Sequence, residues 1–217
     1  MKRKDLGVLV LCAVSILVMA VTAQAGYISG SAWEVSNTTA QDAVLANIPA
    51  TPANATFSLN GFTLDSRNGS NSSAYYTLGS FLTHGGATGI TYLSPLTDPN
   101  YILSNGSTTG IIFQFTGNAY FTNGQSYTVQ HDDGLTFIIN GNTIISQPGP
   151  TAPTVAMGTY TGPTGMYPFD IVYGECNGPP AVFETTLVPN NVPEPTTMLL
   201  LGLGLIGVAG IRRKFKN

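Results

Sequence analysis

Apolar and polar residues alternate most clearly within residues 126–146, where three short runs of β-branched and aromatic residues are separated by two turn signals. These signals are Asp-Gly at 133–134 and Asn-Gly at 140–141, dipeptides that tolerate the positive φ angles of a type I′ hairpin turn. Side chains at every second position share one face of a strand, so Tyr127 and His131 lie on the same face. The pattern predicts a three-stranded antiparallel meander in an all-β domain.

Similar short runs predict strands on both sides of this meander. They cover residues 27–35, 56–64, 75–82, 111–116, 119–122, 155–160, 167–173 and 181–188. The segments between them contain turn residues, and neither an amphipathic helix nor an internal repeat is predicted. Only 9% of the residues are charged, while Gly, Ser, Thr, Asn and Pro are abundant. This composition favours β-structure with many turns over a helical protein.

The N-terminal segment has the three parts of a secretory signal peptide. Basic residues at 2–4 precede an apolar run at 6–21 and an Ala-x-Ala site at 23–25, which predicts cleavage before Gly26. An uncleaved anchor helix is the alternative. Removal of the signal peptide, residues 1–25, leaves a single domain, predicted at residues 26–188, that is large enough to bury a sizeable core.

The C-terminal residues 189–217 form a second three-part pattern. The motif Val192-Pro193-Glu194-Pro195 is followed by an apolar, Gly-rich run at 198–211 and a basic tail at 212–217. As a helix the apolar run spans about 20 Å, which is short for a bilayer core of roughly 30 Å unless flanking residues extend it. The basic tail is expected to stay on the cytoplasmic side.

This arrangement resembles the PEP-CTERM sorting signal, including the Pro-Glu-Pro motif itself. The resemblance implies a Gram-negative bacterium, a transient anchor in the inner membrane, and cleavage near residues 192–195 by an exosortase. It also implies release to the cell surface or to an extracellular exopolysaccharide matrix. A plain C-terminal transmembrane anchor is the alternative.

The charge distribution excludes nucleic acid as a partner of the predicted domain. Between residues 26 and 192 the only Lys or Arg is Arg67, against nine Asp and Glu, which gives a net charge of −8. Nucleic-acid binding needs a basic surface that displaces counterions. A cation or a neutral glycan is a better match.

Asp132 and Asp133 are the candidate metal ligands. Adjacent side chains of an extended trans strand point to opposite faces, so the two carboxylates reach one point only if the backbone turns sharply or the bond between them is cis. Two anionic oxygens aimed at one point suit Ca²⁺. The alternative is a charged hairpin turn without an ion.

The spacing Tyr-x₄-Asp-Asp-Gly-x₄-Ile-Asn-Gly, read from Tyr127 to Gly141, resembles the core of the PA14 family. Residues 165–175 and 178–184 resemble the family's later strands, and the likeness extends over residues 110–187. It implies a β-sandwich. In the lectin branch of the family, paired aspartates joined by a cis peptide hold a Ca²⁺ that binds sugar hydroxyls. Other branches are structural or contact proteins.

The resemblance to the lectin branch adds candidates to the site. Asn177 lies near the position where that branch supplies a further metal ligand. His131 and Tyr173 are candidate sugar contacts. The simpler interpretations are a solvent-facing strand position for His131 and core or rim packing for Tyr173.

The sequence does not indicate an enzyme. It contains neither Gly-x-Ser-x-Gly nor His-Glu-x-x-His. Several carboxylates could form a glycosidase pair, but the sequence does not give their separation. Cys176 has no hydrolase motif around it, and no disulfide partner once Cys12 is removed with the signal peptide.

Together these patterns predict an exported, surface-sorted protein whose PA14-like β-sandwich binds calcium and a glycan, with the cell's own exopolysaccharide as the expected ligand. The first alternative is a structural matrix or adhesion protein without a small-ligand site, and its exposed strand edges would leave self-association open. The second alternative is a glycan-active hydrolase.

Overall fold

The computed structural model of the protein describes residues 28–96 and 98–188. Within them the chain forms eleven β-strands, two short α-helices and one 3₁₀ turn. In chain order they are β1 (Ile28–Ser36), α1 (Asn37–Ala40), the 3₁₀ turn (Leu45–Asn47), β2 (Ala55–Leu59), β3 (Thr63–Asp65), α2 (Leu78–His84), β4 (Thr88–Tyr92), β5 (Thr109–Phe121), β6 (Ser126–Asp132), β7 (Gly134–Ile139), β8 (Asn142–Gln147), β9 (Thr154–Thr159), β10 (Gly165–Glu175) and β11 (Val182–Thr185).

The strands form two sheets that face each other across one core. The first sheet has seven strands in the order β4-β2-β1-β5-β10-β7-β8, and the second has four in the order β3-β11-β6-β9. Neighbouring strands in both sheets run antiparallel. The predicted all-β, antiparallel β-sandwich is confirmed.

Aromatic side chains fill the space between the two sheets. Phe115 on β5 stacks on Phe183 of β11 with ring centroids 5.0 Å apart, and Phe113 stacks on Tyr173 of β10 at 5.6 Å. Phe113 and Phe115 are two residues apart on β5, so they share its inward face. Burial of apolar surface contributes about 25 cal/mol per Å² and is the main force that holds the sheets together.

The predicted three-stranded meander is wrong at its first turn. β6 belongs to the four-stranded sheet and β7 to the seven-stranded sheet, so the chain crosses between sheets at residues 132–134. An Asp-Gly dipeptide permits a hairpin, but pairing with the distant strands β11 and β10 decides the sheet to which each strand belongs. The second turn is the predicted hairpin: β7 pairs with β8, and Asn140 (φ 49°) and Gly141 (φ 77°) both have positive φ.

The strand predicted at residues 75–82 is also wrong, because helix α2 occupies most of it. Thr77 caps the helix through a reciprocal pair of hydrogen bonds with Ser80, which satisfies backbone donors that the first turn leaves free. Leu78 and Phe81 then face the core from one side of the helix. A helix of two turns is too short to show a clear helical period in the sequence.

Three further boundaries differ from the sequence prediction. The predicted strand 56–64 is divided into β2 and β3, with Asn60 and Gly61 in the break. The two strands predicted at 111–116 and 119–122 are one continuous strand, β5. β4 has no counterpart in the prediction, since its exposed edge position leaves little apolar alternation to detect.

The signal peptide predicted at residues 1–25, the motif at 192–195, the apolar helix at 198–211 and the basic tail at 212–217 lie outside the described residues. Among the residues that are described, no helix is both long and apolar enough to cross a bilayer.

Candidate metal centre

The acidic pair lies at one end of the sandwich, where the chain leaves β6 and enters β7. The peptide bond between Asp132 and Asp133 is cis, as the family resemblance implies. Both side chains border a pocket of about 450 Å³. Two loops complete its lining, one with Pro150, Thr151, Ala152 and Pro153, and the other with Asn177, Gly178, Pro179 and Pro180.

Asp133 accepts hydrogen bonds at both carboxylate oxygens. The backbone N–H and the thiol of Cys176 donate to Oδ2 at 2.9 and 3.0 Å, and the backbone N–H of Thr151 donates to Oδ1 at 3.2 Å. Burial raises the pKa of Asp133, and the donors from Cys176 oppose that rise. Burial also raises the pKa of the Cys176 thiol, which therefore stays protonated and able to donate.

Asp132 is almost fully buried, with 5% of its surface exposed. Burial, and then the negative charge of Asp133, raises the pKa of Asp132 to about 7. Arg67 lowers this pKa only in part, because its guanidinium is paired with Asp65 at 2.7 Å. Among the described residues, neither carboxylate of the pair has an ion-pair partner. A bound cation would stabilise the ionised form of both.

The donor atoms around the pair fit a hard cation such as Ca²⁺. Within the described part of the chain, no cluster of three or more His, Cys, Asp or Glu side chains is placed to hold a metal ion. The two carboxylates would supply the negative charge, and amide oxygens, backbone carbonyls and water would supply the other ligands, as calcium sites commonly do. Zinc and other softer ions prefer thiolate and imidazole, and the thiol of Cys176 is protonated and bonded to Asp133.

Asn177 reaches the same pocket as the acidic pair, although it is far from them in sequence. Its backbone has a left-handed φ of 60°. Its side-chain Oδ1 accepts hydrogen bonds from the amides of Asn37 (3.3 Å) and Gln41 (3.1 Å). A cation would therefore share this oxygen with two amide donors, and ligation by Asn177 stays a prediction.

Both sequence-based interpretations of His131, a sugar contact and a solvent-facing strand position, are wrong. The side chain is fully buried. Its Nδ1 lies 2.5 Å from the backbone carbonyl oxygen of Asp133, and its Nε2 lies 3.0 Å from Oε1 of Gln147. The inward face that His131 shares with Tyr127 explains this burial, since the sheet covers that face.

Tyr173 is likewise fully buried, so the predicted sugar contact is wrong and core packing is correct. Its ring stacks on Phe113 between the sheets. Its hydroxyl lies against the backbone carbonyl oxygen of Asp132 and 2.8 Å from Oε2 of Glu175.

Glu175 is a third buried acid, set behind the pair. The hydroxyl of Tyr76 donates to Oε1 at 2.6 Å. Burial raises the pKa of Glu175 well above its usual range, and the hydrogen bonds from Tyr76 and Tyr173 partly oppose that rise. The single proton of the Tyr173 hydroxyl is therefore within reach of two acceptors, the carbonyl oxygen of Asp132 and Oε2 of Glu175.

Sequence reasoning misses the contacts that surround the pair. Cys176 reads as an inert unpaired thiol, and Thr151 as part of a Pro-rich connection, yet both donate to Asp133. The sequence offers one signal for Cys176. It directly precedes Asn177, so a site that contains Asn177 must also have Glu175 and Cys176 close by.

Residues 191–214 match the PEP-CTERM protein-sorting motif. The sorting signal predicted from the Pro-Glu-Pro motif and the residues after it is thereby confirmed. A protein with this signal is exported and has a surface or extracellular fate.

Two of the solved structures to which the chain is similar are PA14 domains, the family that its sequence resembles. One, from the antifreeze protein MpAFP, is 20% identical with a TM-score of 0.46, over 76% of this chain and 83% of that one. The other, a PA14 sugar-binding domain from an RTX adhesin, is 23% identical with a TM-score of 0.46, and the match covers 73% of this chain and 87% of that one. An anti-sigma factor domain-containing protein from Clostridium clariflavum is 11% identical with a TM-score of 0.41, and the match covers 75% of this chain and 45% of that one. A comparison with curated proteins found no match.

Proposed function

We propose that this protein is a surface or matrix protein, sorted by an exosortase, whose PA14-like domain binds Ca²⁺ and, through it, a neutral glycan. The observation that carries the proposal is the pair Asp132 and Asp133. Both carboxylates are nearly buried, both face one pocket, and neither has a cationic partner among the described residues. Such a pair is stabilised by a divalent cation.

The pocket supports a sugar ligand next to that cation. Ca²⁺ at the pair would offer open coordination positions to vicinal hydroxyl groups. Four prolines line the pocket beside the acids and present apolar C–H surfaces of the kind that contact sugar rings: Pro150, Pro153, Pro179 and Pro180. Among the residues that the structure describes, no Lys or Arg lines this pocket, so a neutral glycan fits better than a sulfated or uronic one.

The geometry of the pair also favours binding over hydrolysis. A glycosidase needs two carboxyl groups about 5–9.5 Å apart on either side of the scissile bond. Asp132 and Asp133 are adjacent residues that border one pocket together, whereas the two carboxyl groups of a glycosidase lie on either side of the substrate. Glu175 is fully buried behind them and does not line the pocket. We therefore propose that the domain is not an enzyme.

The sorting signal supports the rest of the proposal. Exosortase would cleave near residues 192–195 while the apolar run at 198–211 anchors the chain in the inner membrane. The domain would then reach the cell surface or the exopolysaccharide matrix. Mass spectrometry of the protein isolated from its native host should find a C-terminus near residue 195. Recovery of intact peptides from residues 198–217 in the mature protein would contradict sorting by cleavage.

Thermal unfolding in millimolar Ca²⁺ and in excess EDTA tests the metal site. Ligand at about 100 times its Kd stabilises by about 2.7 kcal/mol, which raises the midpoint of a domain of this size by about 5–11 °C. Asp132→Asn combined with Asp133→Asn should abolish the rise, because the amides keep the shape and lose the charge. Asp170→Asn, which alters a half-buried acid bonded to Gln114, should preserve it.

The glycan is tested separately, by calcium-dependent retention on the exopolysaccharide of the native host. Retention that survives the double Asn change would place the glycan elsewhere. A protein that shows neither a calcium shift nor retention would favour the structural matrix alternative.

Val155 and Met157, which are 62% and 69% exposed on the edge strand β9, support that alternative because they suit contacts with other proteins or other copies.

A further inference from the structure

We infer that His131, Tyr173 and Cys176 are positioning residues, which aim the two carboxylates of the site from inside the sandwich. This inference rests on the proposed calcium site. All three side chains are fully buried and none lines the pocket, so none of them can touch a ligand there. Each instead makes a hydrogen bond to Asp132 or Asp133.

Two of these contacts hold the backbone of the pair. The Tyr173 hydroxyl contacts the carbonyl oxygen of Asp132, and Nδ1 of His131 lies 2.5 Å from the carbonyl oxygen of Asp133. Tyr173 belongs to the seven-stranded sheet and His131 to the four-stranded sheet. The carbonyl groups of the two aspartates are thus each held by a side chain from a different sheet, which restrains the directions of the two Cα–Cβ bonds.

The third contact holds a carboxylate directly. The backbone N–H and the thiol of Cys176 both donate to Oδ2 of Asp133. Two donors on one oxygen restrain rotation of the carboxylate group about its Cβ–Cγ bond. Oδ1, which accepts only the longer 3.2 Å bond from Thr151, is left as the oxygen better able to bind a cation.

The partners of these residues are themselves held. Glu175 bonds the Tyr173 hydroxyl at 2.8 Å, and Gln147 bonds Nε2 of His131 at 3.0 Å. A ligand set that is already oriented loses less conformational freedom when it binds a metal. Substitution of groups that orient metal ligands typically lowers metal affinity 10–100-fold.

Calcium titration calorimetry at 20 °C tests the inference on the full chain, kept in mild detergent because of its apolar C-terminal run. Tyr173→Phe deletes only the hydroxyl and Cys176→Ala deletes only the thiol. Each should raise the Kd for Ca²⁺ by about 10–100-fold. Cys176→Ser restores a donor and should recover an affinity within about threefold of the wild type.

Tyr160→Phe is the matched control. Tyr160 is a buried tyrosine whose hydroxyl donates to the carbonyl of Pro163 at 2.9 Å, outside the site. It should lower the midpoint of unfolding in EDTA and leave the Kd for Ca²⁺ unchanged. If Tyr173→Phe and Cys176→Ala behave like this control, their role is packing alone and the inference is wrong. Wild-type protein that binds no Ca²⁺ would instead refute the proposed function itself.

Discussion

A buried carboxylate is stabilised by hydrogen-bond donors, by a nearby cation or by protonation. The three buried acids at the pocket end of the sandwich differ in which of these stabilises them. Glu175 accepts hydrogen bonds from the hydroxyls of Tyr76 and Tyr173, and burial raises its pKa well above the usual range. Asp133 receives N–H and S–H donors. Asp132 has neither set of donors, and burial with the charge of Asp133 raises its pKa to about 7. At neutral pH, Asp132 is therefore the group that gains most from a cation.

The raised pKa of Asp132 sets the pH dependence of the metal-free protein. In the folded state Asp132 keeps its proton up to about pH 7, whereas in the unfolded chain it loses it near pH 4. Between these values the folded state binds more protons, so the free energy of unfolding falls as pH rises. Glu175, whose pKa is also raised, acts in the same direction.

We therefore expect the urea midpoint in EDTA to decrease from pH 4.5 to pH 7.5, and saturating Ca²⁺ to reverse most of this decrease at the upper end. Asp132→Asn should flatten the EDTA profile over this range, while Asp98→Asn, at an exposed position, serves as the comparison. A wild-type profile that rises with pH in EDTA would contradict a dominant contribution from the raised pKa of Asp132, and would remove this reason for a cation.

At the scale of elements, the site depends on the crossing between sheets at residues 132–134. The sequence suggests that Gly134 is needed for a positive φ in a hairpin turn, but Gly134 does not have one. It is needed for space, because a Cβ at this position would lie 2.1 Å from the carbonyl oxygen of Pro148. Pro148 precedes the loop that carries Thr151 to the pocket.

Gly134→Ala should accordingly destabilise the protein by about 1–3 kcal/mol, as overpacking of a close backbone contact typically does. It should also weaken calcium binding, because relief of the clash moves the loop after β8. Urea unfolding in EDTA measures the first effect and calcium titration the second. Gly61→Ala is the control, since a Cβ there meets nothing within 4 Å. Equal stability of the two variants would contradict the close approach.

At the scale of the whole domain, the pocket and the described chain ends lie at opposite ends of the sandwich. Gly134 pairs with Gly174 at the pocket end of the seven-stranded sheet. Val188 instead lines a cleft with Gln125. Gln125 directly precedes Ser126, the first residue of β6, and so lies at the opposite end of that strand from Asp132. The length of β6 separates these ends by about 20 Å. A domain held through its C-terminal side would therefore present the pocket away from the point of attachment.

This polarity predicts which attachment sites block glycan binding. A biotin attached through Ala152→Cys lies on the pocket rim, and one attached through Gln125→Cys lies at the far end. Both positions are exposed, whereas the native Cys176 is buried and does not compete for the label. On streptavidin sensors, the protein attached at 152 should lose calcium-dependent polysaccharide binding and the one attached at 125 should retain it. Equal binding by both would place the glycan site outside this pocket.

Much of the molecule is already determined by local sequence. Period-two alternation gives most of the strands, and the Asn-Gly dipeptide at 140–141 gives its hairpin, because each depends only on neighbouring residues. The sorting signal and the acidic pair are contiguous motifs and are found in the same way.

Tertiary structure decided what the pair is surrounded by and which sheet each strand joins. Cys176 meets Asp133 across 43 residues, Tyr76 meets Glu175 across 99, and Asn37 meets Asn177 across 140. No local pattern encodes such contacts, since they follow from the order of strands in two sheets. For the same reason the alternation placed His131 on one face of β6 but did not show that this face is the covered one. Its burial, like that of Tyr173, depends on the second sheet packed against it.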